Sequence, residues 1–309
     1  MHKSVLLEEC LKYLNLQDNS IVVDATLGYA GHSSRILQEI PNGFLYAFDQ
    51  DKEATICSNN RLKKIRANYE IIHNNFVFLK EELTKRNINH IDAILFDLGV
   101  SSPQLDEDER GFSFHKNAKL DMRMNQEQCL SAYQVVNEYE QEDLIRIFRK
   151  YGEEKYAVPI AKKIVEQRVK KPIETTLELV EMIKESTPEK YKREKHPARK
   201  VFQAIRIEVN QELSVFESAL KQALSMVKLH GRICVITFHS LEDKICKEIF
   251  KDVSGLNPEL KNMPIIPEAY LPQFKIIKTL TPSKQELEEN KRARSAKLRV
   301  IERSAVDNG

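Results

Sequence analysis

Short apolar runs alternate with helical stretches over the first 105 residues of the chain. The runs Ile21–Asp24, Gly43–Phe48, Tyr69–His73 and Ile91–Phe96 predict strands, and three of the four end in or just before an aspartate. Between them the sequence predicts helices at His32–Ile40, Asp51–Ile65 and Phe76–Arg86. Strands separated by helices of this length indicate right-handed βαβ units and a parallel sheet, in which ligands bind beyond the carboxyl ends of the strands.

The pattern changes in the middle of the chain. From about Leu105 to about Gln211 the sequence contains helix signals and almost no strand signal. We expect Thr175 or Thr176 to be the N-cap of the last helix in this stretch. The predicted helices are Gln128–Val136, Gln141–Tyr151, Lys155–Val169 and Thr175–Ser186.

The strand-and-helix pattern then resumes. The elements predicted after residue 211 are a helix, a strand, a second helix and a terminal hairpin, at Gln211–Leu229, Arg232–Phe238, Leu241–Phe250, and Phe274–Leu280 with Lys297–Ile301. A helical insert inside one α/β domain explains this order better than two tandem domains. We therefore predict an α/β core over residues 1–105 and 212–309, interrupted by a helical domain over residues 106–211.

The segment from Gly28 to Gly31 connects the first predicted strand to the first predicted helix. Glycine lets the backbone approach a ligand, and the free N–H groups at the start of the helix then face that ligand. The spacing is G-x-x-G, which differs from the G-x-G-x-x-G of dinucleotide sites, and no G-K-[ST] follows to form a phosphate-binding loop. Taken alone, this pattern is equally that of an ordinary tight turn.

Asp49 stands at the end of the second predicted strand, 25 residues after Asp24. An acid in this place can accept hydrogen bonds from both ribose hydroxyls of an adenosine cofactor. The alternative is an N-cap for the helix that follows. Together, the glycine turn and Asp49 favour an adenosine cofactor without a pyrophosphate, a description that S-adenosylmethionine fits better than NAD.

Two further strand ends carry polar residues. Asp97 opens a loop that also contains Gln104, and it is a candidate for binding the charged end of the cofactor or the amine of the substrate. The alternative role of Asp97 is to cap an ordinary turn. The end of the fifth strand is crowded with His239, Ser240, Glu242 and Asp243, and it lacks the G-x-S-x-G elbow of serine hydrolases. A helix start with Ser240 as N-cap and Asp243 as its box residue is the structural alternative.

Composition and charge narrow the class of protein. The 41% of hydrophobic and 30% of charged residues are typical of a globular chain, and no apolar run approaches the ~18 residues of a membrane helix. Five cysteines without a C-x-x-C pair indicate reduced thiols in the cytoplasm and no Cys-type metal site. The net charge is only +2, and a single basic run is usually a solvated face. Three basic clusters together favour an anionic macromolecular partner, and they are Arg61–Arg66, Lys192–Lys200 and Lys291–Arg303.

Several long stretches make the chain resemble one known family. They are DATLGYAGHS, AFDQD, LFDLGVSSPQLDEDERGFSF, LDMRM, YGEEK, HPARKVFQAIRIEVNQEL, VITFHSLEDK and NKRARSAKLRV. In this order they resemble the signatures of the MraW family, the ribosomal RNA small subunit methyltransferases H, and the match runs from His2 to about Arg303. The resemblance implies a Rossmann-like class I methyltransferase core with an inserted all-helical domain. It also implies methylation of N4 of a cytidine in the decoding region of 16S rRNA with S-adenosylmethionine, on the small ribosomal subunit.

The resemblance assigns site residues position by position. The cofactor loop of the family, G-G-H, corresponds to Ala30, Gly31 and His32, so that Ala30 replaces a glycine. The acid that binds the ribose corresponds to Asp49, and the residue expected to cover the adenine corresponds to Phe76. The remaining cofactor contacts correspond to Asp97 and Gln104. An alanine at position 30 costs little at negative φ and about 1 kcal/mol at positive φ.

Methyl transfer to a cytosine amine makes specific demands on the site. The N4 lone pair is delocalised into the ring, so the enzyme has to position the amine and provide acceptors for its protons. Asp97 or a nearby carbonyl is the preferred acceptor, with His239 and Asp243 as further candidates. The chain lacks the D-P-P-Y segment of DNA amino-methyltransferases, and Phe112 and Phe114 are candidates to stack on the base unless they are core residues.

Two other classes of function stay open at this stage. One is an NAD-type oxidoreductase, against which the glycine spacing and the basic clusters argue. The other is a non-catalytic RNA-binding assembly factor that kept the fold, against which the retained Gly31, Asp49 and Asp97 argue. A homodimer is one candidate oligomeric state that the sequence does not decide.

Overall fold

The computed structural model describes residues 4–101, 104, 107–194, 196–256 and 271–305. The chain divides into two compact units, one of residues 1–99 and 213–309 and the other of residues 100–212. We call them the α/β unit and the helical unit. The start of the insert predicted from the sequence, Asp106, lies outside the described residues.

Seven strands form the sheet of the α/β unit in the order β3-β2-β1-β4-β5-β7-β6. Strands β1 to β5 are parallel, and β7 runs antiparallel between β5 and β6. This mixed sheet with flanking helices confirms the predicted α/β fold class. The bounds are Ile21–Asp24 for β1, Phe44–Asp49 for β2, Tyr69–His73 for β3, Ile91–Asp97 for β4, Val227–Thr237 for β5, Phe274–Leu280 for β6 and Lys297–Arg303 for β7.

Neighbouring residues along the central strands pack into different apolar clusters. Val22 and Leu95 belong to one cluster, whereas Val23 and Phe96 belong to the other. Side chains of a strand alternate between its two faces, so both faces of this sheet are covered and the strands are almost continuously apolar. The covering helices and turns are Leu7–Leu14, Gly31–Glu39, Lys52–Leu62, Phe76–Phe78, Leu79–Lys85, Glu212–Met226, Ser240–Ser254, Lys284–Glu289 and Lys291–Ser295.

The structure departs from the sequence prediction at several places in this unit, among them the helix Lys284–Glu289, which was not predicted. The helix Leu7–Leu14 was not predicted, although its apolar residues Leu7, Cys10 and Leu14 have helical spacing. The predicted helix Gln211–Leu229 ends at Met226, because β5 begins at Val227. A register irregularity and a positive φ of 63° at His230 let β5 continue through the residues between the predicted helix and the predicted strand.

Helices make up most of the helical unit, and within its described residues the only β pairing is an isolated bridge between Lys119 and Thr175. Thr175 is the N-cap of its helix, and it was one of the two N-caps that the sequence predicted. The structure adds a capping box between Thr175 and Glu178. The first predicted helix begins four residues later than expected, because Ser131 caps it. The helices are Ala132–Glu138, Gln141–Lys150, Ala157–Arg168, Thr176–Glu185, Glu189–Glu194 and Ala198–Asn210, of which the last two were not predicted.

An apolar core holds this unit together. Leu144, Phe148, Ile164 and Ile183 are fully buried within it and come from three different helices. None of the helices in the described parts of the chain has both the length and the apolar character needed to cross a bilayer.

Candidate active site

Three aspartates mark the carboxyl edge of the sheet. Asp24 ends β1, Asp49 ends β2 and Asp97 ends β4. Because β1 pairs with both β2 and β4, these are the ends of three adjacent parallel strands. The structure therefore brings the two predicted acids together with Asp24, which the sequence reasoning had used only as a marker of spacing.

The glycine turn is fastened from several sides. The N–H of Gly28, a residue at positive φ, donates to Asp49 Oδ2 at 2.8 Å. From the helix Lys52–Leu62, Ser58 Oγ donates to the carbonyl of Gly28 at 2.7 Å and Arg61 donates to the carbonyl of Tyr29 at 3.1 Å. The sequence reasoning missed Ser58 and Arg61; their spacing of three residues on one helix face was the available signal.

Ala30 has the left-handed conformation, with φ at 58°. Its methyl group is fully buried in the apolar cluster that contains Leu27 and Ile36. The alanine therefore occupies the costly conformation, at about 1 kcal/mol relative to glycine. The next residue has no room for a side chain, because a Cβ on Gly31 would lie 1.9 Å from Ser4 Oγ.

Both carboxylate oxygens of Asp49 accept hydrogen bonds from backbone N–H groups in this structure. Its second oxygen, Oδ1, accepts a hydrogen bond from the N–H of Asp51 at 2.8 Å. Burial, with smaller contributions from Asp51 and Asp24, raises the pKa of Asp49 to about 7 against the opposing effect of its two backbone donors. The helix that follows is capped by Asp51, not by Asp49, so the capping alternative for Asp49 is excluded.

Asp24 supports the start of the helix Gly31–Glu39. Its carboxylate accepts from Ser33 Oγ at 2.6 Å and from the N–H of Thr26 at 3.1 Å. Burial raises the pKa of Asp24 above its usual value, although these hydrogen bonds oppose the rise. Thr26 also connects two strand ends, because its Oγ1 accepts from the N–H of Asp97 at 2.7 Å.

His32 lies between the N-terminal segment and Asp97. Its Nε2 is 3.1 Å from the carbonyl oxygen of Val5, and its Nδ1 is 3.4 Å from Asp97 Oδ2. A carbonyl only accepts, so the proton of the neutral ring is on Nε2 and the lone pair of Nδ1 faces Asp97. Burial lowers the pKa of His32 to about 4, which keeps the ring neutral.

Asp97 favours its protonated form in this arrangement. Burial, followed by the charges of Asp24 and Glu242, raises the pKa of Asp97 well above its usual value. A protonated Asp97 can donate a hydrogen bond to Nδ1 of His32. An ionised Asp97 would instead point a lone pair of its carboxylate at the lone pair of Nδ1, which is repulsive. Asp97 Oδ1 is buried and accepts no hydrogen bond from any residue that the structure describes.

Phe76 and Gln104 lie in different units. Phe76, in the turn Phe76–Phe78 after β3, is partly buried and packs edge-on against Phe96 at a centroid distance of 5.9 Å. Gln104 belongs to the helical unit, where its Oε1 accepts from the N–H of Ser101 at 3.0 Å. Both assignments to the cofactor site remain predictions.

The end of β5 is organised differently from the prediction. His239, not Ser240, is the N-cap of the helix Ser240–Ser254, and the box residue is Glu242, not Asp243. Glu242 Oε2 accepts from the N–H of Phe238 at 2.8 Å, and its Oε1 lies 3.1 Å from His239 Nε2. An imidazole nitrogen can accept the N–H that a serine oxygen usually accepts, which explains why the sequence pattern was misread.

Asp243 is held by two cations of β7. Lys297 Nζ and Arg299 Nε each lie 2.7 Å from its carboxylate oxygens. Burial alone would raise the pKa of Asp243. Hydrogen bonds from Arg299 and Lys297 outweigh burial and lower this pKa below its usual value. These contacts are those of a residue that ties a helix to the sheet, and they engage two cations of the third basic cluster.

The two aromatic residues proposed to stack on the base, Phe112 and Phe114, differ in their burial. Phe112 is only 6% exposed and belongs to the apolar core, with the guanidinium of Arg110 5.9 Å from its ring centre. Phe114 is partly buried and packs against the same core. The interpretation of Phe112 as a stacking residue is therefore wrong, because its ring has no exposed face of useful size.

Comparisons with known proteins place the chain in a family. A family model described as the MraW methylase family matches residues 1–304. The chain belongs to the MraW methylase family.

Individual relatives agree with this membership. The chain is 51% identical over 306 residues to the ribosomal RNA small subunit methyltransferase H of Exiguobacterium sibiricum, and the match covers 98% of each chain. Among solved structures, it is similar to an rRNA methylase from Streptococcus thermophilus, with a TM-score of 0.45 and 14% identity over 99% of both chains. A putative rRNA methylase from Clostridium thermocellum has a TM-score of 0.46 and 11% identity over 98% of this chain and 100% of that one. The family membership rests on the sequence matches.

The electrostatics of the sheet edge suit a cationic ligand with hydroxyl groups. Within the described residues, no Lys or Arg side chain pairs with Asp24, Asp49 or Asp97, although burial raises the pKa of all three. Asp24 is buried and Asp49 and Asp97 are half-buried, and carboxyl groups withdrawn from water without a cation are costly unless a ligand supplies charge or donors. S-adenosylmethionine carries a sulfonium, an ammonium and two ribose hydroxyls, and so fits an edge with three carboxyl groups and no cationic partner among the described residues.

Proposed function

We propose that this chain transfers a methyl group from S-adenosylmethionine to N4 of a cytidine in the decoding region of 16S rRNA, acting on the small ribosomal subunit in the cytoplasm. The cluster of carboxyl groups at the ends of β1, β2 and β4, without a cation beside it, carries the proposal on the structural side. Membership of the MraW family and the name of the Exiguobacterium relative support the substrate.

Residues of the α/β unit are assigned to the cofactor as follows. The glycine turn and the start of the helix Gly31–Glu39 present backbone donors, and Asp49 accepts from the ribose hydroxyls once it releases a donor of the turn. Phe76 covers the adenine, and Asp97 with His32 binds the ammonium group of the amino acid end. Gln104 is the remaining residue assigned to the cofactor. When bound, the cofactor supplies an activated methyl group on its sulfonium sulfur.

The acceptor amine needs a group that takes its proton. Asp97 is the preferred candidate, because a positive charge bound beside it favours the ionised form of a carboxyl group whose pKa burial has raised. His239 remains a second candidate at the neighbouring strand end. Asp243 is the weakest of the three, because Lys297 and Arg299 already occupy its oxygens.

The helical unit is proposed to select the RNA and not to bind the cofactor, apart from Gln104 at its start. Arg193 is exposed, and Lys192 forms only a surface pair with Glu189. Lys195, the third cation that the sequence singled out here, lies outside the described residues. The candidate homodimer stays a prediction.

The decisive experiment is a labelled-methyl assay on small ribosomal subunits, followed by mass mapping of the modified nucleotide. We expect label on one cytidine of 16S rRNA, at N4. Label on another atom would overturn the assigned specificity, and no label in the presence of bound S-adenosylhomocysteine would favour a non-catalytic assembly factor. Calorimetric binding of NAD in place of S-adenosylhomocysteine would favour an oxidoreductase.

A further inference from the structure

Three rings meet at the surface of the helical unit. Phe114 stacks on His196 with a centroid distance of 4.5 Å and an interplanar angle of 26°. His115 lies 4.3 Å from Phe114 and 5.3 Å from His196. Phe202 supports the group from the core side, edge-on to Phe114 at 5.8 Å. We call Phe114, His115 and His196 the aromatic cluster.

The cluster is partly open to solvent. His115 is exposed, and Phe114 and His196 are half-buried, whereas Phe202 is only 3% exposed. A group of rings whose only role is to close the core would not need an exposed imidazole as its outer member. The outer ring therefore offers a flat surface backed by other rings.

The backbone that carries this ring is fixed without regular secondary structure. Thr176 Oγ1 donates to the carbonyl of Lys116 at 2.6 Å and accepts from the N–H of Ala118 at 3.0 Å. The N–H of His115 donates to Ser113 Oγ at 3.2 Å. Gly111, at φ 71°, brings the chain so close to the carbonyl of Lys119 that a Cβ would lie 2.4 Å from it. The backbone at this ring is therefore held in place before any ligand arrives, which reduces the entropic cost of binding.

Several cationic residues lie close to the aromatic cluster along the sequence. Lys116 and Lys119 follow His115, and Arg193 and Arg199 flank His196; all four are exposed. Lys184 lies near enough to His196 to contribute to lowering the pKa of that imidazole, after burial and His115. Flat rings among cations match an RNA strand, in which bases with π-faces alternate with phosphates.

We propose that the aromatic cluster is a stacking site for an unpaired nucleobase of single-stranded RNA, with His115 as the ring that the base contacts. This inference rests on the proposed function for its view that the ligand is RNA. It adds a contact within the helical unit that is separate from the methyl-transfer chemistry. Stacking is tolerant of base identity, so the site positions a strand and does not read its sequence.

The test measures binding of a short single-stranded RNA that contains 2-aminopurine, whose fluorescence is quenched when it stacks. The full-length protein is used, at the same pH for every variant. We expect His115→Ala to weaken binding about tenfold and to abolish the quenching, whereas His115→Tyr keeps both. His90→Ala, which removes an exposed histidine of the α/β unit, is the matched control and should bind as the wild type does.

Two results would overturn the stacking site. One is equal affinity and quenching for His115→Ala and the wild type. The other is rescue by His115→Lys and not by His115→Tyr, which would mean that His115 contacts a phosphate through charge.

Methylation of small subunits by the same variants separates this inference from the proposed function. If the wild type methylates subunits but His115→Ala binds the oligonucleotide normally, the stacking site fails and the proposed function stands. If the fluorescence pattern is as expected and the wild type methylates no RNA, the stacking site stands and the proposed function fails.

Discussion

The α/β unit and the helical unit differ in the partners that their withdrawn acidic and amide side chains find. In the α/β unit, burial raises the pKa of Asp24, Asp49 and Asp97, and Asp97 Oδ1 has no donor among the described residues. Such groups lower the stability of a fold and are retained where a ligand or a reaction needs them.

The helical unit supplies internal partners for Asn210 and Glu154, although Nδ1 of His196 is buried there without a hydrogen-bond partner among the described residues. Asn210 accepts from the N–H of Met124 and donates to the carbonyls of Met122 and Arg206. Glu154, only 3% exposed, accepts from the hydroxyl of Tyr191 at 2.7 Å. We therefore expect the reaction to take place in the α/β unit, whereas the helical unit is a stable support for a binding surface.

The largest expected effect tests this contrast at Asp97. Asp97→Asn removes the ionisable group and keeps its size, and we expect methylation of small subunits to slow about 100-fold or more. The control is Asp243→Asn, which breaks the pairs with Lys297 and Arg299 and should lower the melting temperature while costing much less activity. Single-turnover methylation and thermal unfolding measure the two effects. An Asp243→Asn variant that folds normally and is as slow as Asp97→Asn would instead make Asp243 the acceptor.

A smaller effect is expected at Asp49. Asp49→Asn should weaken binding of S-adenosylhomocysteine at least tenfold, because two ribose hydroxyls lose a charged acceptor. Isothermal calorimetry measures the dissociation constant. An unchanged constant in a folded variant would remove Asp49 from the site.

The pH dependence at Asp49 sharpens the same point. Its pKa of about 7 lies above the ordinary value of 3.8, so the ligand-free folded state holds this proton more tightly than the unfolded chain. The contribution of Asp49 to the free energy of unfolding therefore falls as the pH rises from about 4 to about 7. Ligand affinity should rise as the pH passes through about 7, because the ionised form is the better acceptor. Both trends should be weaker in Asp49→Asn than in the wild type, and identical pH profiles would contradict the assignment.

A few-fold effect is expected when charge is reversed on the helical unit. Lys192→Glu combined with Arg193→Glu should weaken binding to small subunits about fivefold and reduce the salt dependence of the affinity, since fewer counterions are released. Binding of S-adenosylhomocysteine should not change. Lys162→Glu with Lys170→Glu carries the same charge change on other exposed residues of this unit and serves as the control. Equal losses in both double variants would mean that overall charge, and not this surface, attracts the RNA.

The smallest effect concerns Ala30. Ala30→Gly relieves a left-handed alanine, worth about 1–2 kcal/mol, but removes a buried methyl group worth about 0.8 kcal/mol. We expect the free energy of unfolding to rise by less than about 1 kcal/mol, with cofactor affinity within about twofold of the wild type. Denaturant unfolding measures the change. A clear loss of stability would show that packing of the methyl group outweighs the backbone strain.

The sequence by itself determined what depends on neighbouring residues. Short apolar runs predicted β1 to β4 almost to the residue, and the sequence named Thr175 or Thr176 as the N-cap of a helix that Thr175 does cap. The acids at the ends of the strands, including Asp49 and Asp97, could be placed at one edge because parallel strands share their carboxyl ends. These features follow from periodicity and local hydrogen bonding, which act over a few residues.

Only the tertiary structure decided the states and partners of the same residues. The carbonyl that orients His32 comes from Val5, 27 positions away, and the cations that hold Asp243 lie 54 and 56 positions away. The left-handed conformation of Ala30 and the raised pKa of Asp97 likewise depend on what packs around them. Contacts between distant segments form only when the chain folds, so no local pattern of residue types specifies which partner a charge or an imidazole will meet.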